Sequence, residues 1–92
     1  MVWRIDFSET AEKQLSKLDR QIAQRISLFL RERVAVLDNP RSIGDALKGS
    51  ELGEFWKYQV GDWRVISEIS EIRDKQILIS GLSLGNRREV YR

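Results

Sequence analysis

Three patterns along the chain predict an α+β fold with one N-terminal strand, a helical hairpin, and then antiparallel strands forming a small sheet with the helices packed on one face. Val2 to Phe7 alternates, with Trp3, Ile5 and Phe7 on one side and Arg4 and Asp6 on the other, the period of a half-buried strand. Apolar residues then recur at helical spacing through two consecutive stretches. From Glu54 onward strand patterns return, the first two separated by the dipeptide Gly61-Asp62, a hairpin signal.

Taken in order, Ser8 offers an N-cap after the first strand. Ala11, Leu15 and Leu18 recur at spacings of four and three, so residues 9–18 read as a short amphipathic helix. Asp19 can cap a second helix. Its stripe of Ile22, Ile26, Phe29, Leu30, Val34 and Leu37 continues until Asn39-Pro40 stops it, because the residue before proline is pushed out of helical space. Residues 41–53 hold three of the six glycines and read as a loop. Strands follow over Glu54 to Val60 and Trp63 to Ile69, joined by a two-residue II′ turn in which Gly61 takes positive φ. Gln76 to Leu82 supplies a further strand after a turn near Arg73-Asp74-Lys75. With 92 residues and 41% hydrophobic content, the chain reads as one domain spanning 1–92, large enough for one modest core.

A two-residue turn also sets register, pairing Val60 with Trp63, Gln59 with Arg64, Tyr58 with Val65 and Lys57 with Ile66. Alternation then sorts the faces. Trp56, Tyr58, Val60, Trp63 and Val65 share the side that meets the helices. Lys57, Gln59, Arg64 and Ile66 share the other, where Lys57 and Arg64 are diagonal neighbours about 7–8 Å apart.

Composition removes several chemistries. The chain has no cysteine and no histidine, which excludes disulfides, thiolate metal sites and imidazole acid–base work. Its acidic residues Glu51, Glu54, Asp62, Glu68, Glu71 and Asp74 are interspersed with basic ones without a ligand spacing, so neither a metal nor any other cofactor is expected. The net charge is only +2. All of that excess falls in the last nine residues, Leu84 to Arg92, which carry Arg87, Arg88 and Arg92 against Glu89. The N-terminal stretch lacks the layout of a signal peptide and no apolar run approaches membrane-spanning length, so a cytoplasmic protein without membrane association is expected.

Two cations on an open sheet face, with an Arg-Arg and Tyr segment after the next strand, can surround a phosphate. Arginine offers a planar fork of donors and lysine a compact charge. RNA cleavage by its own 2′-hydroxyl needs such parts: a proton acceptor, a proton donor for the leaving 5′-oxygen, and positive charge on the developing phosphorane. Without histidine, the remaining proton carriers have free pKa values mostly far from neutrality. That mismatch suits a slow catalyst relying on a partner to position its substrate. Composition alone favours a solvated strand face, with Glu68 balancing Lys57 and Arg64, and a core role for both Trp56 and Trp63.

The stretch Leu47-Lys-Gly-Ser-Glu-Leu-Gly-Glu-Phe-Trp-Lys-Tyr-Gln-Val-Gly-Asp-Trp-Arg-Val-Ile, followed by Gly85-Asn-Arg-Arg-Glu-Val-Tyr91, resembles the RelE/ParE superfamily of bacterial toxin–antitoxin toxins, most of all its RelE branch. The Phe7-Ser8 junction and the Asn39-Pro-Arg helix stop extend the likeness over nearly the whole chain. The resemblance implies a RelE-like fold and a ribosome-dependent mRNA endoribonuclease that cuts in the decoding site. It also implies silencing by a cognate antitoxin, contacts to ribosomal RNA, and DNA reached only through the antitoxin complex. By position it implies that Lys57 accepts a proton or binds phosphate and that Arg64 binds phosphate. Arg87 would stabilise the transition state or protonate the leaving group, and Tyr91 would orient or stack on the substrate. Lys48, Gln59, Asn86 and Arg88 would contact RNA. Two positions depart from the family pattern: Asn86 stands where relatives commonly carry histidine, and Gln59 where a second basic residue is common. Both lower charge or acid–base capacity. A ParE-like inhibitor of DNA gyrase and a weakly active member that mainly binds its antitoxin are the competing readings.

Overall fold

The computed structural model describes residues 3–47, 54–70 and 75–84. Strand β1 (Arg4–Phe7) leads through Ser8 into helix α1 (Glu9–Lys17). The Ser8 hydroxyl accepts from the Ala11 N–H at 3.1 Å and donates to Ser80 O at 2.9 Å, so one side chain both caps the helix and ties it to the far end of the chain. Glu9 and Glu12 in the first turn and Lys17 in the last complement the helix dipole. Helix α2 (Arg20–Phe29) starts after two extended residues, Leu18 and Asp19. Asp19 stands at the N-cap position as expected but makes no side-chain capping bond; it is exposed, where water can serve the first-turn N–H groups.

Past Phe29 the helix widens into a π turn, Leu30–Val34, closed by the Ala35 N–H donating to Leu30 O at 2.8 Å. The helical run therefore ends before Leu37, earlier than the apolar stripe suggests. The wide turn buries Leu30, Val34 and Ala35 together while Arg31, Glu32 and Arg33 stay exposed.

Asn39 and Pro40 do stop the helical segment, and Asn39 then caps a short 3₁₀ turn, Pro40–Ser42, by accepting from the Arg41 N–H at 3.0 Å. The expected loop from 41 to 53 is not all loop: Asp45–Ala46 form a short strand, β2, paired antiparallel with β3 (Phe55–Val60). Two side chains of β3 hold it there. Tyr58 Oη donates to Pro40 O and Trp56 Nε1 to Ile43 O, each at 2.7 Å. Gly44, at φ +82°, passes so close beneath them that a Cβ would press on Trp56 Nε1 at 2.8 Å and Tyr58 Cδ1 at 2.9 Å. Local propensity could not show this pairing, because it depends on anchors more than ten residues away.

Strands β3 and β4 (Trp63–Ser70) pair in the expected register, from Val60 opposite Trp63 to Lys57 opposite Ile66. Gly61 has φ +61° and no described non-glycine residue has positive φ, as a II′ turn requires. Strand β5 (Gln76–Leu84) runs two residues beyond its expected end. It completes a sheet of order β1-β5-β4-β3-β2, in which β1 is parallel to β5 and the other neighbours are antiparallel. The core lies between this sheet and the helices and includes Trp3, Ile26, Leu30, Val34, Tyr58, Val65, Ile69, Ile77 and Ile79. Each fully buried aliphatic side chain contributes about 1.5–3 kcal/mol relative to exposure.

β5 carries an irregularity at its centre: Gly81 pairs with Ile66 but Ile79 with Ser67, leaving Ser80 as an extra residue. The inward series Ile77, Ile79 thereby shifts to Leu82. Pairing with β1 ends at Phe7–Ile79, so among the described residues the outer edge of β5 beyond that point has no strand beside it. Gln14 of α1 takes its place, its Oε1 accepting from the Leu82 N–H at 2.7 Å and its Nε2 donating to Leu82 O at 3.0 Å. A Cβ on Gly81 would sit 3.3 Å from Gln14 Oε1, so the glycine leaves room for this clasp.

Replacing Gln14 with Ala should cost about 1–3 kcal/mol, since both Leu82 backbone groups lose their partner; urea denaturation and faster hydrogen exchange at the Leu82 amide would register it. Burial pushes the Tyr58 phenol up to about 12, opposed by nearby Arg41. The folded state thus favours neutral Tyr58, and the stability this gives is complete below pH 10 and is lost as pH rises toward 12. Denaturation curves should show wild type losing stability relative to Tyr58→Phe across that window. Near neutral pH the same variant should be less stable by about 1 kcal/mol, because the bond to Pro40 is gone.

Candidate functional site

The hairpin places Lys57 and Arg64 half-buried on the sheet face opposite the helices, with Gln59 exposed between them and paired to Arg64. Pleating makes Lys57 and Arg64 diagonal neighbours. Among the described residues neither enters an ion pair. Glu68, across from Phe55, is the diagonal neighbour of Lys57 on the side away from Arg64, yet forms no ion pair with it. Part of Gln59's capacity is committed locally, as its Nε2 donates to Gly61 O at 2.8 Å.

The pair opens into a cleft of about 820 Å³ that wraps over the β3 edge where β2 stops. Its lining joins Lys57, Gln59 and Arg64 to Asp45, Arg33 and Phe29. The first three are sequence-expected and the last three are not. Asp45 arrives because β2 sets it opposite Lys57; nothing local signals that strand. Phe29 and Arg33 arrive from α2 and the π turn, and their spacing of four residues was a readable sign that they share a helix face. Trp56 and Trp63 are half-buried and pack against the core, in keeping with a structural role.

On the last strand Ser83 pairs with Arg64 and Leu84 with Trp63. The last described residues of β5 therefore lie beside Arg64. Arg87, Tyr91, Asn86 and Arg88, together with Lys48, lie outside the described residues. Among the described residues no group of three or more Asp or Glu is placed to hold a metal ion, and no helix is long and apolar enough to cross a membrane. The described part of the site has the chemistry to attract an anion: two cations at strand positions without ion pairs among the described residues, one carboxylate opposite Lys57, and an open cleft beside them.

Residues 5–91 match the family model described as ParE toxin of type II toxin-antitoxin system, parDE. Among solved structures, a chain of the toxin–antitoxin complex RelBE2 from Mycobacterium tuberculosis superposes with a TM-score of 0.76 at 20% identity, covering 94% of this chain and 95% of that one. A chain of the archaeal RelE–RelB complex from Pyrococcus horikoshii OT3 gives 0.72 at 27% identity, with 95% and 99% covered. The isolated RelE toxin of E. coli gives 0.71 at 19%, with 97% and 90% covered. No curated protein matches the chain.

Asp45 opposes Lys57 across β2 and β3, so its carboxylate reduces the attraction of the cleft for anions. Asp45→Asn should tighten the binding of inorganic phosphate by about two- to fivefold at low salt, the scale of one solvent-screened charge; an NMR titration following the β3 and β4 amides would measure it. Unchanged affinity would remove Asp45 from the site.

Proposed function

Since the chain belongs to the RelE/ParE superfamily of toxin–antitoxin toxins, we propose that this toxin is a ribosome-dependent mRNA endoribonuclease that works by metal-independent attack of the substrate's own 2′-hydroxyl. The observation that carries this reading is the Lys57–Arg64 pair on the open face of the sheet, without ion pairs among the described residues, with Ser83 of β5 opposite Arg64 and the segment bearing Arg87 and Tyr91 following β5 in sequence. In the reaction a bond forms between the 2′-oxygen and phosphorus and the bond from phosphorus to the 5′-oxygen breaks. One proton leaves the 2′-hydroxyl and another reaches the 5′-oxygen. Arg64 holds the non-bridging oxygens as charge develops on them. Lys57 takes the hydroxyl proton or holds the phosphate beside Arg64. Arg87 completes the positive charge or protonates the leaving oxygen, and Tyr91 orients the substrate.

Strand-mounted Lys57 and Arg64 suit such positioning catalysis, because each is fixed by ladder pairing while its charged end remains available. A ribosome holding the message would supply the remaining alignment. RelE relatives in solved structures are found with RelB, and a cognate antitoxin is the corresponding partner here. The ParE name of the matching family supports a second reading, inhibition of DNA gyrase without RNA cleavage.

Expression without antitoxin should arrest growth and produce codon-positioned mRNA cuts in the presence of ribosomes. Arg64→Ala should lower the cleavage rate by about 10²-fold, the scale of removing one transition-state donor, while thermal melting stays near wild type. Growth arrest with intact mRNA and blocked supercoiling by purified gyrase would replace this reading with the second.

A further inference from the structure

Arg25, Phe29 and Arg33 follow one another at intervals of four residues, so helical geometry stacks them along one face of α2 and its π extension. The structure aims that face at the hairpin. A second groove is lined by Arg25, Phe29 and Arg33 on the helical side and by Gln59, Val60 and Gly61 on the other. Phe29, Arg33, Gln59 and Gly61 also line the Lys57–Arg64 cleft, so the two depressions are one path over the β3 edge. The Arg25 guanidinium lies along the turn, its Nη1 3.4 Å from where a Gly61 Cβ would stand. Phe29 is held edge-on against Tyr58, with ring centroids 6.3 Å apart and planes at 61°. Glu32 in this groove and Asp45 and Asp62 in the cleft are the nearby carboxylates. Yet among the described residues neither Arg25 nor Arg33 forms an ion pair.

We infer that Arg25, Phe29 and Arg33 form a second RNA-binding strip that holds single-stranded RNA flanking the scissile phosphate, one base against the Phe29 ring and a backbone phosphate at each guanidinium. The inference rests on the RNA-cleaving reading above for which strand enters. Its own support is the alternation of cation, ring and cation, which matches phosphate, base and phosphate. Proteins that hold single strands combine these two elements, a basic groove along the backbone and an aromatic platform for a base. Continuity with the cleft lets one strand engage both parts. An acidic protein segment could satisfy the arginines but would not require the ring.

The test uses a short fluorescein-labelled single-stranded RNA with 2′-O-methyl sugars, which cannot be cut, and measures anisotropy over a salt series. Arg25→Gln with Arg33→Gln should weaken binding about tenfold and make the slope of log K against log salt shallower by about 1.4, some 0.7 for each phosphate that an arginine no longer neutralises. Phe29→Leu should weaken binding about fivefold with the slope unchanged, because stacking releases no counterions. Melting curves establish that the variants are folded; if Phe29→Leu is not, the exposed arginine pair decides alone. Wild-type affinity and slope in the folded arginine variant would overturn the inference. So would a poly-glutamate peptide that binds as tightly as RNA through the same arginines with no effect of Phe29→Leu. Cleavage on ribosomes, followed in parallel, separates the two claims. A wild type that cuts while the arginine variant binds RNA normally sinks only this inference. A wild type that binds through the strip and never cuts sinks only the nuclease reading.

Discussion

The Gly61-Asp62 turn sets the register on which everything else in this protein depends. Two residues with positive φ only at the glycine allow one pairing, Val60 with Trp63, and that pairing assigns a face to every side chain of β3 and β4. A slip of one residue would put Tyr58 and Val65 on opposite faces, so that either Tyr58 leaves the core as Lys57 enters it or Val65 leaves as Arg64 enters. Burying even one cation without a partner is far costlier than any strand preference can offset. The apolar core and the face that carries Lys57 and Arg64 are therefore one specification, made once at the turn.

Strand β3 shows how closely core and site are joined. Tyr58 and Trp56, facing the helices, hold the segment from Pro40 to Ile43 by two hydrogen bonds. That segment delivers Gly44 and Asp45 to the rim of the cleft. Lys57 and Gln59, on the alternate positions, line the same cleft from the other face. At the opposite side of the hairpin, β5 outruns β1 and would leave a bare backbone edge. Gln14 supplies both a donor and an acceptor there, standing in for a strand. Because Leu82 is opposite Val65 and Ser83 is opposite Arg64, this clasp lies one residue from the site. The stability of the strand end and the placement of Arg64 depend on the same contacts.

Electrostatics acts here by location rather than by total. A net charge of +2 on 92 residues is small, and a protein of that balance has no strong long-range field. What distinguishes the cleft and the groove continuous with it is that Lys57, Arg64 and Arg33 line the one and Arg25 and Arg33 the other, without ion pairs among the described residues. The carboxylates of Asp45, Asp62 and Glu32 lie nearby without forming such pairs, which moderates the field while leaving the donors of the cations available to a ligand.

The order of elements, the helix-starting role of Ser8, the Asn39-Pro40 stop and the hairpin register were all legible from sequence, because each is decided by neighbours within a few residues through capping, ring sterics or turn geometry. Lys57 and Arg64 were legible as a pair for the same reason: alternation and a two-residue turn suffice to place them. The short β2 strand, the early end of the helix at a π turn and the shift in β5 at Ser80 were not. Each exists to satisfy partners distant in the chain: Pro40 and Ile43 for Tyr58 and Trp56, the packing of Leu30 and Val34, and the clasp of Gln14 on Leu82. The sequence by itself thus determined which face is polar and which residues on it carry charge. Only the tertiary structure decided that Asp45, Phe29 and Arg33 join that face in one cleft, because bringing a loop and a helix to the same strand edge is a result of packing and long-range hydrogen bonding, which no local pattern encodes.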